Sequence, residues 1–244
     1  MIRQGIAGLA LALLVLGQTH ATARAETFRL TSLDWPPYSG ATLPDQGYSV
    51  KVAREAFAAM GHALEVEFYP WKRAVQTGLG EGYVGYFPEY HSDDLAAGAC
   101  AFSDPAGSGP LGLVESTRAP LAWTTLDDLK GRHIGVVSGY VTTPGLAERA
   151  RAGTLVLEAV TDDLTNIRKV AAGRIDAAEI DANVMTWLVD QNPELKGSVQ
   201  MSPHLLDKKK LYVCFQKTET GSMARSIFNE GLKKITLPAV MAVQ

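Results

Sequence analysis

Residues 133–191, HIGVVSGYVTTPGLAERARAGTLVLEAVTDDLTNIRKVAAGRIDAAEIDANVMTWLVDQ, decide the fold through their hydrophobic rhythm. His133–Val137, Leu155–Ala159 and Ile175–Ile180 are short apolar runs bounded by turn residues, and each reads as a strand. Thr143–Arg151 reads as a helix between the first two. Leu164, Ile167, Val170 and Ala171 share one face of a second helix that stops at Gly173. Ala182–Gln191 reads as a third. Strands alternating with helices at this spacing are βαβ units, which predicts an α/β protein with a mainly parallel sheet.

Working toward the N-terminus, the same order recurs. Thr27–Leu33 is a strand that stops at Trp35-Pro36-Pro37-Tyr38, because consecutive prolines suit neither a helix nor a central strand. Ser49 is the expected cap of a helix with Val52, Ala53, Ala56, Phe57 and Met60 on one face, ending at Gly61. Leu64–Tyr69 alternates as a strand, a helix begins after Pro70, and Tyr83–Phe87 is another strand. The rhythm breaks at Phe102–Pro120, where glycines and prolines crowd an apolar stretch and predict an irregular ribbon between two lobes. Leu211–Phe215 and Met223–Lys234 add a last strand and helix, and periodicity leaves open which lobe they join.

Composition excludes whole classes. The 244 residues are 46% hydrophobic and 20% charged, which is ordinary for a globular chain rather than a disordered one. A net charge of −3 does not suit nucleic-acid binding. Residues 1–25 combine Arg3, an apolar run from Gly5 to Leu16 and Ala23-Arg24-Ala25, the layout of a signal peptide cleaved near Ala25. That run is too short to span a bilayer, so a periplasmic protein is expected. Cys100 and Cys214 either pair after export or remain two buried thiols.

No G-x-S-x-G, H-E-x-x-H or C-x-x-C motif is present. Gly78-x-Gly80-x-Gly82 follows a helix rather than a strand and reads as a turn, and His91-Ser92-Asp93-Asp94 reads as a polar loop. No metal, cofactor or catalytic residue is therefore expected. What stands out is a set of aromatics near predicted strand ends: Trp35, Tyr38, Tyr48, Trp71, Tyr86, Phe87, Tyr90 and Tyr140. Ligands bind at the carboxyl ends of strands in open α/β sheets, and aromatic rings there wall a site and can hold a cation.

Several motifs in order resemble the bacterial extracellular solute-binding proteins of family 3, receptors of amino-acid-type ABC transporters. They are Trp35-Pro36-Pro37-Tyr38, Gly47-Tyr48-Ser49-Val50, Phe102-Ser103-Asp104-Pro105, Leu126-Asp127-Asp128-Leu129-Lys130-Gly131 and Gly173-Arg174-Ile175-Asp176-Ala177. Pro70-Trp71-Lys72-Arg73-Ala74 is similar to a branch whose ligands are poorly defined. The resemblance implies a two-lobed type II periplasmic-binding-protein fold that closes on a small solute by hinge motion. Lobe 1 would hold 26–110 with 208–244 returning to it, and lobe 2 would hold 111–207. It also implies a monomer that hands its solute to a membrane permease.

The departures bear on the ligand. Amino acid receptors of the family carry an Arg before F-S-D-P that clamps the α-carboxylate, whereas this chain has no Arg between Arg73 and Arg118. Asp181 matches the acidic residue that receives the α-amino group. The expected ligand-binding set is Trp35, Tyr38, Tyr48, Trp71, Arg73, Tyr86, Phe87, Glu89, Tyr140, Thr142 and Asp181. Either Arg73 replaces the missing clamp, or the ligand is an amine without an α-carboxylate. The function expected is solute binding for transport, with a ligand-sensing receptor and a dehydratase-like enzyme that uses Glu89 as alternatives.

Overall fold

The structure is a computed structural model that describes residues 25–241, so the expected signal peptide lies outside the described residues except for Ala25. Its first half contains β1 (Thr27–Ser32), α1 (Tyr48–Ala58), β2 (Ala63–Phe68), α2 (Trp71–Gly78), β3 (Gly85–Tyr90), α3 (Asp93–Ala97) and β4 (Cys100–Phe102). Then come β5 (Gly107–Ser116), β6 (His133–Val137), α4 (Pro144–Arg151), β7 (Val156–Val160), α5 (Asp163–Ala171), β8 (Ala177–Asp181) and α6 (Ala182–Gln191). The chain closes with β9 (Val199–Gln216) and α7 (Glu219–Leu232). Outside 102–120 and the last strand, the alternation expected from periodicity is present, with ends moved by a few residues.

The strands run in the order β2-β1-β3-β9-β5-β8-β6-β7, with β4 also on β9. β1 is parallel to β2 and β3, and β6 is parallel to β7 and β8, as crossover helices require. β5 and β9 run antiparallel to each other and join the two parallel halves. One core packs Phe28, Phe57, Phe215 and Phe228 between the first sheet half, α1 and α7. Another packs Leu113, Trp123, Ile134 and Leu146 in the second half. A third is continuous across the cleft and includes Trp35, Tyr38, Trp71, Tyr90, Ile180 and Val184.

Two expectations are corrected here. The irregular ribbon predicted over 102–120 contains the ten-residue strand β5, paired on both sides. Its glycines serve close packing instead of turns, since a Cβ at Gly107 would overlap Met241 and one at Gly112 would crowd Met201. The last strand begins at Val199, well before Leu211. Residues 203–210 are mostly exposed and lack apolar alternation, yet their backbone pairs with β5. The crossings expected at 110/111 and 207/208 meet at one facing pair, Pro110 and Lys208. The end of β9 pairs with β3, and α7 packs on α1 with Phe57 and Phe228 ring centroids 5.6 Å apart. The last strand and helix thus return to the first half.

Ser49 is not the cap of α1. Gly47 takes that position at φ 95°, a conformation that only glycine adopts freely. The first-turn amides instead reach back to the aromatic-proline loop: Tyr48 N–H donates to Pro37 O at 3.1 Å and Ser49 N–H to Tyr38 O at 2.7 Å. The helix start therefore holds that loop in place. His91-Ser92-Asp93-Asp94, expected as a loop, begins α3, with Ser92 accepting the Leu95 N–H.

Cys100 and Cys214 form a disulfide across the β4–β9 pair, with Cα atoms 4.9 Å apart and a sequence separation of 114. Closing a loop of that size removes unfolded-state entropy equivalent to roughly 4–5 kcal/mol. Reduction, or the C100A/C214A pair, is expected to lower the melting temperature by about 10 °C or more. A melt unchanged by reductant, with free thiols verified by titration, would sink this assignment.

Candidate functional site

The cleft between the halves is walled by aromatics that the strand ends deliver. Trp35 and Tyr38 leave β1 and stack with centroids 4.7 Å apart. Tyr90 ends β3 and meets Trp35 edge-on at 6.0 Å. From the second half, Tyr140 follows β6 and meets Trp35 at 6.5 Å and Trp71 at 5.8 Å, both edge-on. Polar clasps cross the same gap. The Trp71 Nε1–H donates to Gly139 O at 2.9 Å. The Tyr38 hydroxyl donates to Asp181, 3.1 Å from each oxygen, and accepts from Asn183 Nδ2 at 2.8 Å. The halves are therefore closed on each other.

Within the closed cleft lies an inner cavity of about 20 Å³ lined by Trp35, Tyr90, Tyr140, Thr142, Asp163, Glu179 and Asp181. That is room for about one water-sized group. A second space of similar size, also about 20 Å³, adds Glu89 beside Trp71 and shares Tyr90 and Tyr140. Outside them is a chamber of about 380 Å³ between Asp34, Pro36, Tyr69 and Trp71 on one side and Asp162, Asp163 and Leu188 on the other. Among the described residues no Lys, Arg or His lines any of the three.

Four carboxyls are buried here. Asp181 caps α6 by accepting from Asn183 N–H at 2.8 Å and Val184 N–H at 3.2 Å. Burial nevertheless pushes its carboxyl up to about 6 against those bonds and the Tyr38 hydroxyl. Asp163 opens α5, and burial pushes it up to about 7, while Trp35, Tyr140 and the neighbouring Asp181 act as smaller influences of mixed sign. Glu89 reaches about 8 through burial, opposed by the Tyr90 N–H and the Tyr86 hydroxyl. Glu179 is raised by burial although Thr143 donates to it twice and the Lys209 charge pulls the other way. Lys209 itself is ion-paired with Asp207 at 3.5 Å.

Two polar atoms in this cleft have no hydrogen-bond partner, the Tyr90 hydroxyl and the Trp35 indole nitrogen. Both residues are at least nine-tenths buried, at 7% and 6% exposure. The Trp35 N–H is turned toward Asp163 and eases its ionisation without forming a full hydrogen bond. Buried orphan polar groups cost free energy and mark a place for a further partner. Among the described residues no three His, Cys, Asp or Glu side chains are arranged to hold a metal ion.

The structure brings together Trp35, Tyr38, Trp71, Glu89, Tyr140, Thr142 and Asp181 of the expected set. Tyr86 stands just behind, edge-on to Trp71 at 5.5 Å with its hydroxyl 3.4 Å from Cys100 Sγ. Three residues fall elsewhere. Tyr48 is 39% exposed at the start of α1. Phe87 points to the first-half core, the opposite face from Tyr86 as strand alternation demands. Arg73 is exposed on α2 and lines none of the three spaces.

Sequence reading missed Asp163, Glu179, Tyr90 as a site residue, Asn183 and Gly109. Two signals were available. Glu179 is two positions from Asp181 and so shares its face of the strand. Asp162 and Asp163 both begin a helix, where one suffices as cap: Asp162 accepts the Thr165 N–H, leaving Asp163 for the cleft.

No protein-family model matches the sequence, and no curated protein matches it. Solved structures do. A histidine kinase sensor domain described as similar to periplasmic binding proteins has a TM-score of 0.71 at 23% identity, covering 86% of this chain and 90% of that one. An ancestral arginine-binding protein bound to arginine has 0.70 at 17%, covering 85% and 91%. The GluR0 ligand-binding core from Nostoc punctiforme in complex with L-glutamate has 0.67 at 16%, covering 85% and 92%. These likenesses establish the two-lobed type II periplasmic-binding-protein fold, with its cleft between the lobes, as the sequence resemblance implied. Among the described residues no helix is long and apolar enough to cross a membrane.

Two predictions follow from the cleft geometry. A Cβ at Gly109 would overlap the Asp181 carboxylate and the Tyr38 hydroxyl. G109A should hold the halves apart and raise the radius of gyration in small-angle scattering; an unchanged closed profile refutes this role. The second concerns pH. Glu89, Asp163 and Asp181 hold protons more tightly folded than unfolded. Their protonated forms therefore favour the fold at low pH, and that contribution is lost as pH rises from about 4 through 8. The ligand-free protein should melt several degrees lower at pH 8 than at pH 5, and N or Q variants of these carboxyls should flatten the slope.

Proposed function

We propose that this chain is a periplasmic solute-binding protein that closes on a small amine-bearing solute and delivers it to the permease of an ABC transporter, without covalent chemistry. The observation that carries this reading is the set of four buried carboxyls, Glu89, Asp163, Glu179 and Asp181, around spaces with no lining cation. Buried carboxylates need a cationic or hydrogen-bonding partner, and a protonated amine supplies both. The aromatic walls of Trp35, Tyr90 and Tyr140 offer π faces to the same charge. An α-carboxylate, by contrast, would meet acidic side chains and no guanidinium, since Arg73 stands outside.

The Tyr38–Asp181 and Trp71–Gly139 clasps give the closed state contacts of its own. A solute entering the cleft would replace the Tyr38 hydroxyl as donor to Asp181 and fill the orphan valence of Tyr90. A ligand-sensing receptor is the second reading, favoured by the likeness to the kinase sensor domain. Solute recognition would be the same and only the membrane partner would differ.

Thermal shift on protein refolded free of ligand tests the reading. The panel holds α-amino acids, their decarboxylated amines, and carboxylates without an amine. A ligand at a hundred times its dissociation constant adds about 2.7 kcal/mol, a shift of several degrees. Amines should stabilise, carboxylates should not, and D181N should weaken amine binding about tenfold or more. Affinity should also rise with pH between 6 and 8, because a bound cation favours the ionised carboxyls. Stabilisation by carboxylates but not by amines would reverse the charge logic and end the proposal.

A further inference from the structure

Among the described residues no cation lines the cleft spaces, yet a lysine stands on the same face of the sheet. β5 and β9 pair with Leu111 opposite Asp207 and Gly109 opposite Lys209. On its other side β5 pairs with β8, with Leu111 opposite Asp181 and Leu113 opposite Glu179. Directly opposed residues share a face, and so do alternate residues along a strand. Asp207, Lys209, Asp181 and Glu179 therefore stand on one face of the joined sheet. It is the cleft face: Leu111 lines the inner cavity, and Leu211, two residues after Lys209, lines the space beside Glu89. Lys208 and Lys210 alternate to the other face and are exposed.

Lys209 is largely withdrawn from solvent. Its side chain is 16% exposed, although lysines ordinarily keep their charge in water. Its ion-pair partner is Asp207 Oδ2 at 3.5 Å, and Asp207 Oδ1 accepts the Lys208 N–H at 2.7 Å, which anchors that carboxylate to the joining strand. Toward the buried carboxyls the row is open. Gly109, opposite Lys209, puts no side chain between them, and the Asp181 carboxylate approaches that same glycine. The Lys209 charge already eases the ionisation of Glu179, whose hydrogen bonds come from Thr143 and not from the lysine.

We propose that Lys209 sets the affinity of the cleft for a cationic solute: it is a resident positive charge held off the buried carboxyls by Asp207, and the Lys209–Asp207 pair tunes how strongly those carboxyls attract an ammonium. This inference rests on the amine reading above and adds a residue that lines none of the spaces. A fixed cation near Glu179 repels a second cation arriving there, and a carboxylate beside the fixed cation offsets that repulsion. The two partners therefore act in opposite directions. Without Lys209 the site loses a positive charge and holds an ammonium more tightly. Without Asp207 the Lys209 charge is uncompensated, and its flexible stem is free to turn along the open row toward the carboxyls, where it competes with the solute. An ion pair that served only the fold would give both losses the same sign.

The test is calorimetry of the refolded protein with methylamine and n-butylamine at about pH 9, above the raised carboxyls and below the roughly 10.4 of an alkylammonium. K209M should bind the amines about threefold or more tightly than the wild type, and D207N about threefold or more weakly. D207N keeps an oxygen for the Lys208 N–H, and melting curves of both variants check that the fold is retained. A readout without ligand accompanies this: the Glu179 carboxyl carbon, followed by NMR, should titrate higher in K209M and lower in D207N than in the wild type. If the two variants shift amine binding in the same direction, or if neither shifts it by about twofold, the Lys209 assignment fails while the amine reading stands. A Glu179 titration that neither variant moves refutes the assignment as well. If neither amine binds the wild type, both readings fall together.

Discussion

The pairing of β5 with β9 is the constraint on which the rest of the molecule depends. These two strands are the junction of two parallel half-sheets, and both sides of the cleft are built from their neighbours. β8 pairs with β5 so that Leu111 faces Asp181, which sets that carboxylate at the mouth of the junction. β3 pairs with β9 so that Glu89 faces Tyr212, which brings the Glu89 carboxyl to the same cleft. Gly109 lies on β5 where any larger side chain would displace the Tyr38–Asp181 contact. A glycine within a strand, usually a weakness, here allows two side chains from opposite halves to meet.

The cleft combines two features that are unfavourable separately and useful together. Four carboxyls are buried without a lining cation, and two polar atoms are left unpartnered. Burial of this kind weakens a fold unless the groups are protonated or partnered. In a receptor it would be a source of specificity, because a molecule that brings the opposite charge is favoured over one that does not. The elevated pKa values of Glu89, Asp163 and Asp181 express the same imbalance in proton binding. A proton and the proposed amine would therefore compete for one set of oxygens.

The aromatic set illustrates how far local pattern reaches. Trp35, Trp71 and Tyr140 were legible as residues of the cleft because each follows a strand or a proline-marked loop where parallel sheets open toward it. Tyr48 and Arg73 were not, since their exposure depends on how α1 and α2 rotate against the sheet. Phe87 was named together with Tyr86, although neighbours on a strand point to opposite faces and only Tyr86 lies on the cleft side. The acidic partners Asp163 and Glu179 were passed over for a related reason: a carboxyl is usually solvated, and only packing shows that it is not.

What the sequence determined by itself was the order of elements, since hydrophobic period, glycine stops and proline breaks are properties of neighbours along the chain. It also determined that no arginine lies between Arg73 and Arg118, which is a matter of residue identity. Tertiary structure decided the rest: that 107–116 is a strand, that the chain's end returns to the first half, that Cys100 meets Cys214, and that four carboxyls from three separate segments converge. Each depends on contacts between residues far apart in sequence. Strand pairing and burial arise from those contacts, and no local window of residues contains them.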